Sequence, residues 1–282
     1  MKPGANFVGV LGWPLEVTWS PIIHNVAFRQ LQLDWVYLRW PVPPSELGDA
    51  VRGLRALRAA GANVTMPHKK TIVEHLDVIS GDAEAIGAVN TVQQVGDKLV
   101  GHNTDVGGFA EFLVGDAGFD AKGTSALVLG AGGAAKAVVK ALTDLGVAEI
   151  TVAARRPDAA ASVAEVAGAG LTGTSSAGIG WEEASGHASE VDLVVNATPF
   201  GMNGEHVLTE STFNAGQYVV DLVSSPPSTP LVEQARTQGA SAWGGIGMLI
   251  RQAAASFEIW TGQQAPIEAM SAAAIRAIGH HH

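Results

Sequence analysis

At 282 residues, with 47% hydrophobic and 16% charged, the chain lies far from the composition of a disordered segment and can bury a full core in one large domain or two modest ones. No apolar stretch reaches the roughly 18 residues of a membrane span and no charged-then-apolar leader precedes Phe7, so a cytoplasmic protein away from the membrane is expected. A net charge of -10 without a basic stripe argues against nucleic acid, and the lack of cysteine removes disulfides, thiolate metal sites and a catalytic thiol.

Residues 7–11 read as a short strand. Ser20-Pro21 supplies an N-cap and a first-turn proline for a helix over 20–31. Strand 35–40, helix 45–60 and strand 62–65 follow, and alternation at this spacing predicts βαβ units in a mostly parallel sheet. A second series opens at Ser125, with strand 126–129, a tight turn at 130–134, helix 135–145, strand 149–154, helix 157–167 and strand 192–196. Between the last two, 168–180 is rich in Gly, Ser and Ala and reads as a surface connection. Strand 218–223, helix 230–238 and two helices at 247–261 and 266–277 complete the pattern. Gly279-His280-His281-His282 looks like a purification-tag remnant and is set aside.

Gly130-Ala-Gly-Gly-Ala-Ala135 fits G-x-G-x-x-A, directly after a strand and opening a helix. Small side chains at Gly130, Ala131, Gly132, Gly133 and Ala134 let the backbone approach a pyrophosphate, which the helix N-terminus would bind with N–H groups and partial positive charge. An acidic residue about 20 positions on would hold the ribose 2′-hydroxyl of NAD. Here the strand ends Ala153-Ala-Arg-Arg156 without a carboxylate. The guanidiniums of Arg155 and Arg156 suit a 2′-phosphate, so NADP is the expected cofactor.

Three blocks carry the remaining chemistry: Gly61-Ala-Asn-Val-Thr-Met-Pro-His-Lys69, Gly87-Ala-Val-Asn-Thr91 and Gly101-His-Asn-Thr-Asp105. Asn and Thr hold hydroxyls without the desolvation cost of a full charge. A Lys working with an Asp can hold, deliver or withdraw a proton. That combination suits reduction of a ketone on a polyhydroxylated ring.

These blocks, together with Gly12-Trp-Pro-Leu-Glu-Val-Thr-Trp-Ser-Pro-Ile-Ile-His-Asn25, Asn196-Ala-Thr-Pro-Phe-Gly-Met202 and Gly245-Ile-Gly-Met-Leu-Ile-Arg-Gln252, resemble the signatures of the shikimate dehydrogenase family in order and spacing, over essentially the whole chain. The resemblance implies a two-domain α/β fold. An N-terminal α/β substrate-binding domain (1–106, with C-terminal helices returning at 245–278) would accompany a Rossmann-type NADP-binding domain (107–244), with the active cleft between them. It implies reversible NADP(H)-dependent reduction of 3-dehydroshikimate to shikimate in aromatic amino-acid biosynthesis, without metal, by a homodimer. Lys69 and Asp105 would be the catalytic pair, and Thr18 and Ser20 would bind the substrate carboxylate. Asn63, Thr65, Asn90, Thr91 and Gln252 would bind the ring hydroxyls, while Thr198, Gly245 and Met248 would line the cofactor site. Departures from the family pattern are Ala154 and Arg156 beside the retained Arg155, Thr18 in place of a serine, His68 in place of a Phe, and Ser224 where a Tyr is usual. His68 would either lower the lysine's pKa or pack on the substrate domain. Ser224 keeps a quinate or aminoshikimate dehydrogenase open as the alternative. A non-catalytic NADP-binding regulator would need neither Lys69 nor Asp105.

Overall fold

The structure, a computed structural model, describes residues 6–16, 18–168 and 173–279. It divides into two compact units, Met1–Thr104 with Ile250–His282, and Asp105–Leu249. The first segment runs β1 (Asn6–Gly12), α1 (Ser20–Gln30), β2 (Trp35–Pro41), α2 (Leu47–Ala56) and β3 (Gly61–Val64). It continues through β4 (Val78–Ile79), α3 (Gly81–Ile86), β5 (Thr91–Val95), β6 (Lys98–His102) and α4 (Thr104–Glu111). The sheet order is β2-β1-β3-β5-β6-β4. β1 pairs parallel with β2 and β3, as does β4 with β6, but β5 is antiparallel to both its neighbours. The sheet is therefore more mixed than the βαβ spacing alone predicts. Its cause is local: only Gly96-Asp97 separates Val95 from its partner Lys98, and Gly96 takes φ +60. A two-residue loop admits only a hairpin. β3 is buried at every position, with Ala62 and Val64 packed among Leu54, Val92 and Leu99.

Two helix boundaries differ from expectation. Ser20 is the first residue of α1 and not its cap; Trp19 stands at the cap position with helical dihedrals and no side-chain cap bond, so the Ser20 hydroxyl is left for other partners. The helix expected over 45–60 ends at Ala56, after a 3₁₀ turn at Pro44–Glu46. Arg58 adopts φ +52 and the Ala60 N–H donates to the Phe7 carbonyl at 3.0 Å, turning the chain into β3 early.

The second segment runs β7 (Ser125–Leu129), α5 (Gly133–Asp144), β8 (Glu149–Ala154), α6 (Pro157–Gly168) and β9 (Ser175–Gly180). Then come α7 (Ala184–Ala188), β10 (Leu193–Asn196), β11 (Tyr218–Asp221), α8 (Pro230–Thr237) and β12 (Ser241–Trp243). The order β12-β11-β10-β7-β8-β9 is wholly parallel. Winding runs outward from β7 to β9, then outward again from β10 to β12. This is the doubly wound dinucleotide-binding order, and its switch point lies between β7 and β10. Thr229 caps α8, accepting from the Val232 N–H, with Pro230 in the first turn. The region read as a surface connection contains an edge strand instead: β9 pairs with β8 from Glu149↔Ser175 to Ala154↔Gly180. Its small residues serve packing, since a Cβ on Gly178 would run into the backbone of Ala160 and Ala161 on α6. Residues 169–172 of that stretch lie outside the described residues.

α9 (Ile246–Thr261) and α10 (Ile267–Gly279) close the chain. The later part of α9 covers the first sheet, where Trp260 Nε1 donates to the Val92 carbonyl at 2.9 Å and Phe257 stacks on Phe28. α10 packs against α1. Gly279, set aside with the histidines, is the last residue of α10; residues 280–282 lie outside the described residues. Among the described residues no helix is long and apolar enough to cross a membrane.

Candidate active site

Backbone hydrogen bonds gather the polar blocks of the first unit. The Val64 N–H donates to the Asn90 carbonyl and the Val89 N–H to the Lys69 carbonyl, both at 2.8 Å. The Trp13 N–H donates to the Met66 carbonyl at 3.0 Å, joining the loop after β1 to the same place. Lys69 lies in the turn at 66–70, before a 3₁₀ segment at Thr71–His75. That turn closes through the His68 N–H to the Thr65 carbonyl at 2.9 Å, a geometry Pro67 tolerates because it has no N–H to place. His68 is buried, with Nε2 at 2.7 Å from the Val42 carbonyl, so its ring donates there and pins the turn. Lys69, Thr65, Thr18 and Ser20 are half-buried; the Thr18 and Ser20 hydroxyls stand 3.4 Å apart.

Behind this turn lies a buried polar network. Asn63 Oδ1 accepts from the Tyr37 phenol at 2.7 Å. Asn63 Nδ2 stands 3.0 Å from Ser256 Oγ, 3.1 Å from Thr91 Oγ1 and 3.2 Å from the Asn90 carbonyl. Asn90 Oδ1 accepts from the Thr104 N–H at 2.8 Å and the Thr91 hydroxyl at 2.9 Å. Buried polar groups demand partners, and these supply one another. Thr91 is 0% exposed, Asn90 3% and Asn63 8%, so all three are buried. Gln252 is half-buried on α9, and Asp105, buried, is the second residue of α4.

Below the network sits His24, fully buried, with neither ring nitrogen hydrogen-bonded. It stacks on Tyr37 with centroids 4.5 Å apart and planes 2° apart, flanked by Phe28 and Trp260. Burial without a partner lowers its pKa to about 3. Burial likewise pushes the Tyr37 phenol well above its ordinary range, against the opposing effect of the Ser20 hydroxyl. Sequence reasoning missed Tyr37. One available signal was that it is one of only two tyrosines, in a strand that flanks a polar block.

In the second unit the glycine motif sits at the switch point. Gly130 follows β7 at φ +112, and a Cβ there would stand 3.0 Å from Thr198 Cγ2 and 3.1 Å from the Ala197 carbonyl oxygen. Gly132 and Gly133 face open space, and α5 begins there without a side-chain cap. Open backbone at an uncapped helix start is what a pyrophosphate needs. Arg155 and Arg156 are exposed just past β8. Asn196 shapes the turn after β10: its Oδ1 accepts from the Thr198 N–H and hydroxyl, and its Nδ2 donates to Asp221 Oδ1 at 2.9 Å. Asp221 also accepts from the Thr229 hydroxyl at 2.6 Å, and burial raises its pKa. Neither Asn196 nor Asp221 was singled out as a site residue from sequence, although both stand at strand ends beside the motif. Gly245 lies against the Leu222 carbonyl, where a Cβ has no room, and Met248 is buried. Ser224 is half-buried in the loop after β11. Among the described residues no group of His, Asp and Glu is placed to hold a metal ion.

A doubly wound unit with an open glycine turn, together with a mixed sheet bearing a lysine turn over a polar network, defines a nucleotide-dependent enzyme with a separate substrate unit. Family models agree: the shikimate dehydrogenase substrate binding domain matches residues 10–92, shikimate / quinate 5-dehydrogenase 114–224, and the shikimate 5'-dehydrogenase C-terminal domain 245–275. A shikimate dehydrogenase (NADP(+)) of Methanopyrus kandleri is 42% identical over 275 residues, 96% of this chain and 95% of that protein. The crystal structure of shikimate 5-dehydrogenase from Thermus thermophilus in complex with NADP(H) and shikimate superposes with a TM-score of 0.83 at 35% identity, covering 96% of this chain and 99% of that one. Quinate dehydrogenase from Corynebacterium glutamicum in complex with NAD gives 0.90 at 28% identity, covering 96% and 99%. The chain belongs to the shikimate dehydrogenase family.

Proposed function

We propose that this protein is an NADP-dependent shikimate dehydrogenase, reversibly reducing 3-dehydroshikimate to shikimate on the route to the aromatic amino acids. The observation that carries the reading is its 42% identity, along nearly its whole length, to enzymes named for NADP(+). Arg155 and Arg156 at the end of β8, with no carboxylate beside them, fit the 2′-phosphate. Gly130 to Ala134 would hold the pyrophosphate, with Thr198, Gly245 and Met248 beside the rest of the cofactor, which supplies or accepts a hydride when bound. In reduction the carbonyl oxygen of the substrate gains negative charge as its carbon receives hydride. The Lys69 ammonium stabilises that charge and donates the proton, while the Asp105 carboxylate orients the lysine and accepts from the adjacent hydroxyl. Thr18 and Ser20 bind the ring carboxylate, and Asn63, Thr65, Asn90, Thr91 and Gln252 bind the hydroxyls. On this reading the enzyme works in the cytoplasm as a homodimer, an assembly that light scattering tests.

Ser224, where the family usually has Tyr, supports quinate as a second substrate. Initial rates with shikimate and quinate, each against NADP and NAD, test the assignment. Shikimate with NADP should give the highest kcat/KM, by at least about tenfold over NAD. Lys69→Ala should lower kcat by about 10² to 10⁴-fold with cofactor affinity retained. Absence of shikimate turnover by the unmodified protein would sink the assignment, and a near-normal kcat in Lys69→Ala would remove that residue from the chemistry.

A further inference from the structure

Ser256 is buried on α9 one turn after Gln252. Four polar atoms surround its Oγ: the Gln252 carbonyl oxygen at 3.0 Å, Asn63 Nδ2 at 3.0 Å, Thr91 Oγ1 at 2.8 Å and Thr104 Oγ1 at 3.1 Å. A serine hydroxyl has one proton and two lone pairs, so proton accounting decides how these contacts are shared. The Thr91 proton goes to Asn90 Oδ1 at 2.9 Å, and Thr104 Oγ1 accepts from Asn90 Nδ2 at 3.0 Å. Thr104 then gives its own proton to Ser256. With Asn63 Nδ2 donating to the second lone pair, the Ser256 proton is shared between the Gln252 carbonyl at 3.0 Å and Thr91 Oγ1 at 2.8 Å. A continuous donor chain results, from the Tyr37 phenol to Asn63, to Ser256 and to the carbonyl of Gln252.

We propose that Ser256 is a positioning residue for binding of the ring acid: its hydroxyl fastens the turn of α9 that carries Gln252 to β3 and to the first residue of α4. The proposal rests on the function assigned above, with Gln252 as a substrate contact. Geometry favours it over a merely satisfied core hydroxyl. Ser256 joins three segments distant in sequence, and its back-bond to residue 252 selects the one turn of α9 whose side chain is proposed to meet the substrate. Removing the hydroxyl leaves Asn63 and Thr104 only the longer contacts to Thr91 and Asn90 and cuts their tie to α9, which releases that turn.

The test is steady-state kinetics with shikimate at saturating NADP, on Ser256→Ala, Ser256→Cys, Gln252→Ala and the double variant Ser256→Ala/Gln252→Ala. Ser256→Ala should raise the shikimate KM about tenfold, with kcat within about threefold and the NADP KM unchanged. Ser256→Cys, similar in size with a weak donor, should fall between it and the unmodified enzyme. Because Ser256 acts through Gln252, the double variant should match Gln252→Ala to within about twofold. Additive effects, or an unchanged shikimate KM in Ser256→Ala, overturn the proposal. If Ser256→Ala does not fold, Ser256→Cys is read against Gln252→Ala by the same criterion. No shikimate turnover in the unmodified protein defeats the functional assignment itself, whereas an active unmodified enzyme with additive variants defeats only the role of Ser256.

Discussion

A histidine sealed among Tyr37, Phe28 and Trp260, with no partner for either ring nitrogen, is stable there only while neutral. The unfolded chain protonates His24 near its ordinary 6.5, whereas the folded protein resists down to about 3. Between those values the unfolded state holds the extra proton. The stability His24 contributes is therefore present in full above about pH 6.5 and lost as pH falls toward 3, at up to about 1.4 kcal/mol per pH unit. Thermal melts of the unmodified protein and His24→Phe between pH 7 and 4.5 measure this. The variant should lose stability less steeply with acid, and equal slopes would clear His24 of any part in acid sensitivity. At this scale the sequence exposes residues that gather in short glycine-flanked blocks, as Lys69, Asn90 and Asp105 do. Tyr37 and Ser256 escaped because their partner Asn63 is 26 and 193 positions away, and no local spacing encodes such a meeting.

Among the elements, β9 shows how composition misleads. Ser, Ala and Gly suggest a loop, yet here they form an edge strand pressed on α6. Gly178→Ala should destabilise the fold by about 1 to 3 kcal/mol, because the new methyl meets fixed backbone at Ala160 and Ala161 and not a flexible side chain. Urea denaturation measures the difference, and an unchanged midpoint would mean that α6 yields at no cost. The strands and helices of the doubly wound unit that carry long apolar runs, β7, α5, β8 and β10, were legible from sequence within a residue or two. The hairpin β5–β6 was overlooked despite its Gly96-Asp97 turn, since the alternation around it is short and mixed with glutamines.

On the scale of the whole molecule, the two units differ in how they use the chain. Residues 105–249 form one unbroken unit containing all six parallel strands, whereas the other is assembled from both ends. Expressed alone, residues 105–249 should fold cooperatively and bind NADP, as judged by calorimetric titration; a molten or silent fragment would contradict its autonomy. Residues 1–104 alone should not, because Trp260 and Phe257 then leave Val92 and Phe28 uncovered. This discontinuity has a consequence at the ribosome. The strands that emerge first wait for their lid while the intervening unit is translated, roughly ten to thirty seconds at ordinary elongation rates. During that interval the nascent sheet presents apolar surface, and its custody falls to whatever shields unfinished chains until α9 and α10 leave the exit tunnel.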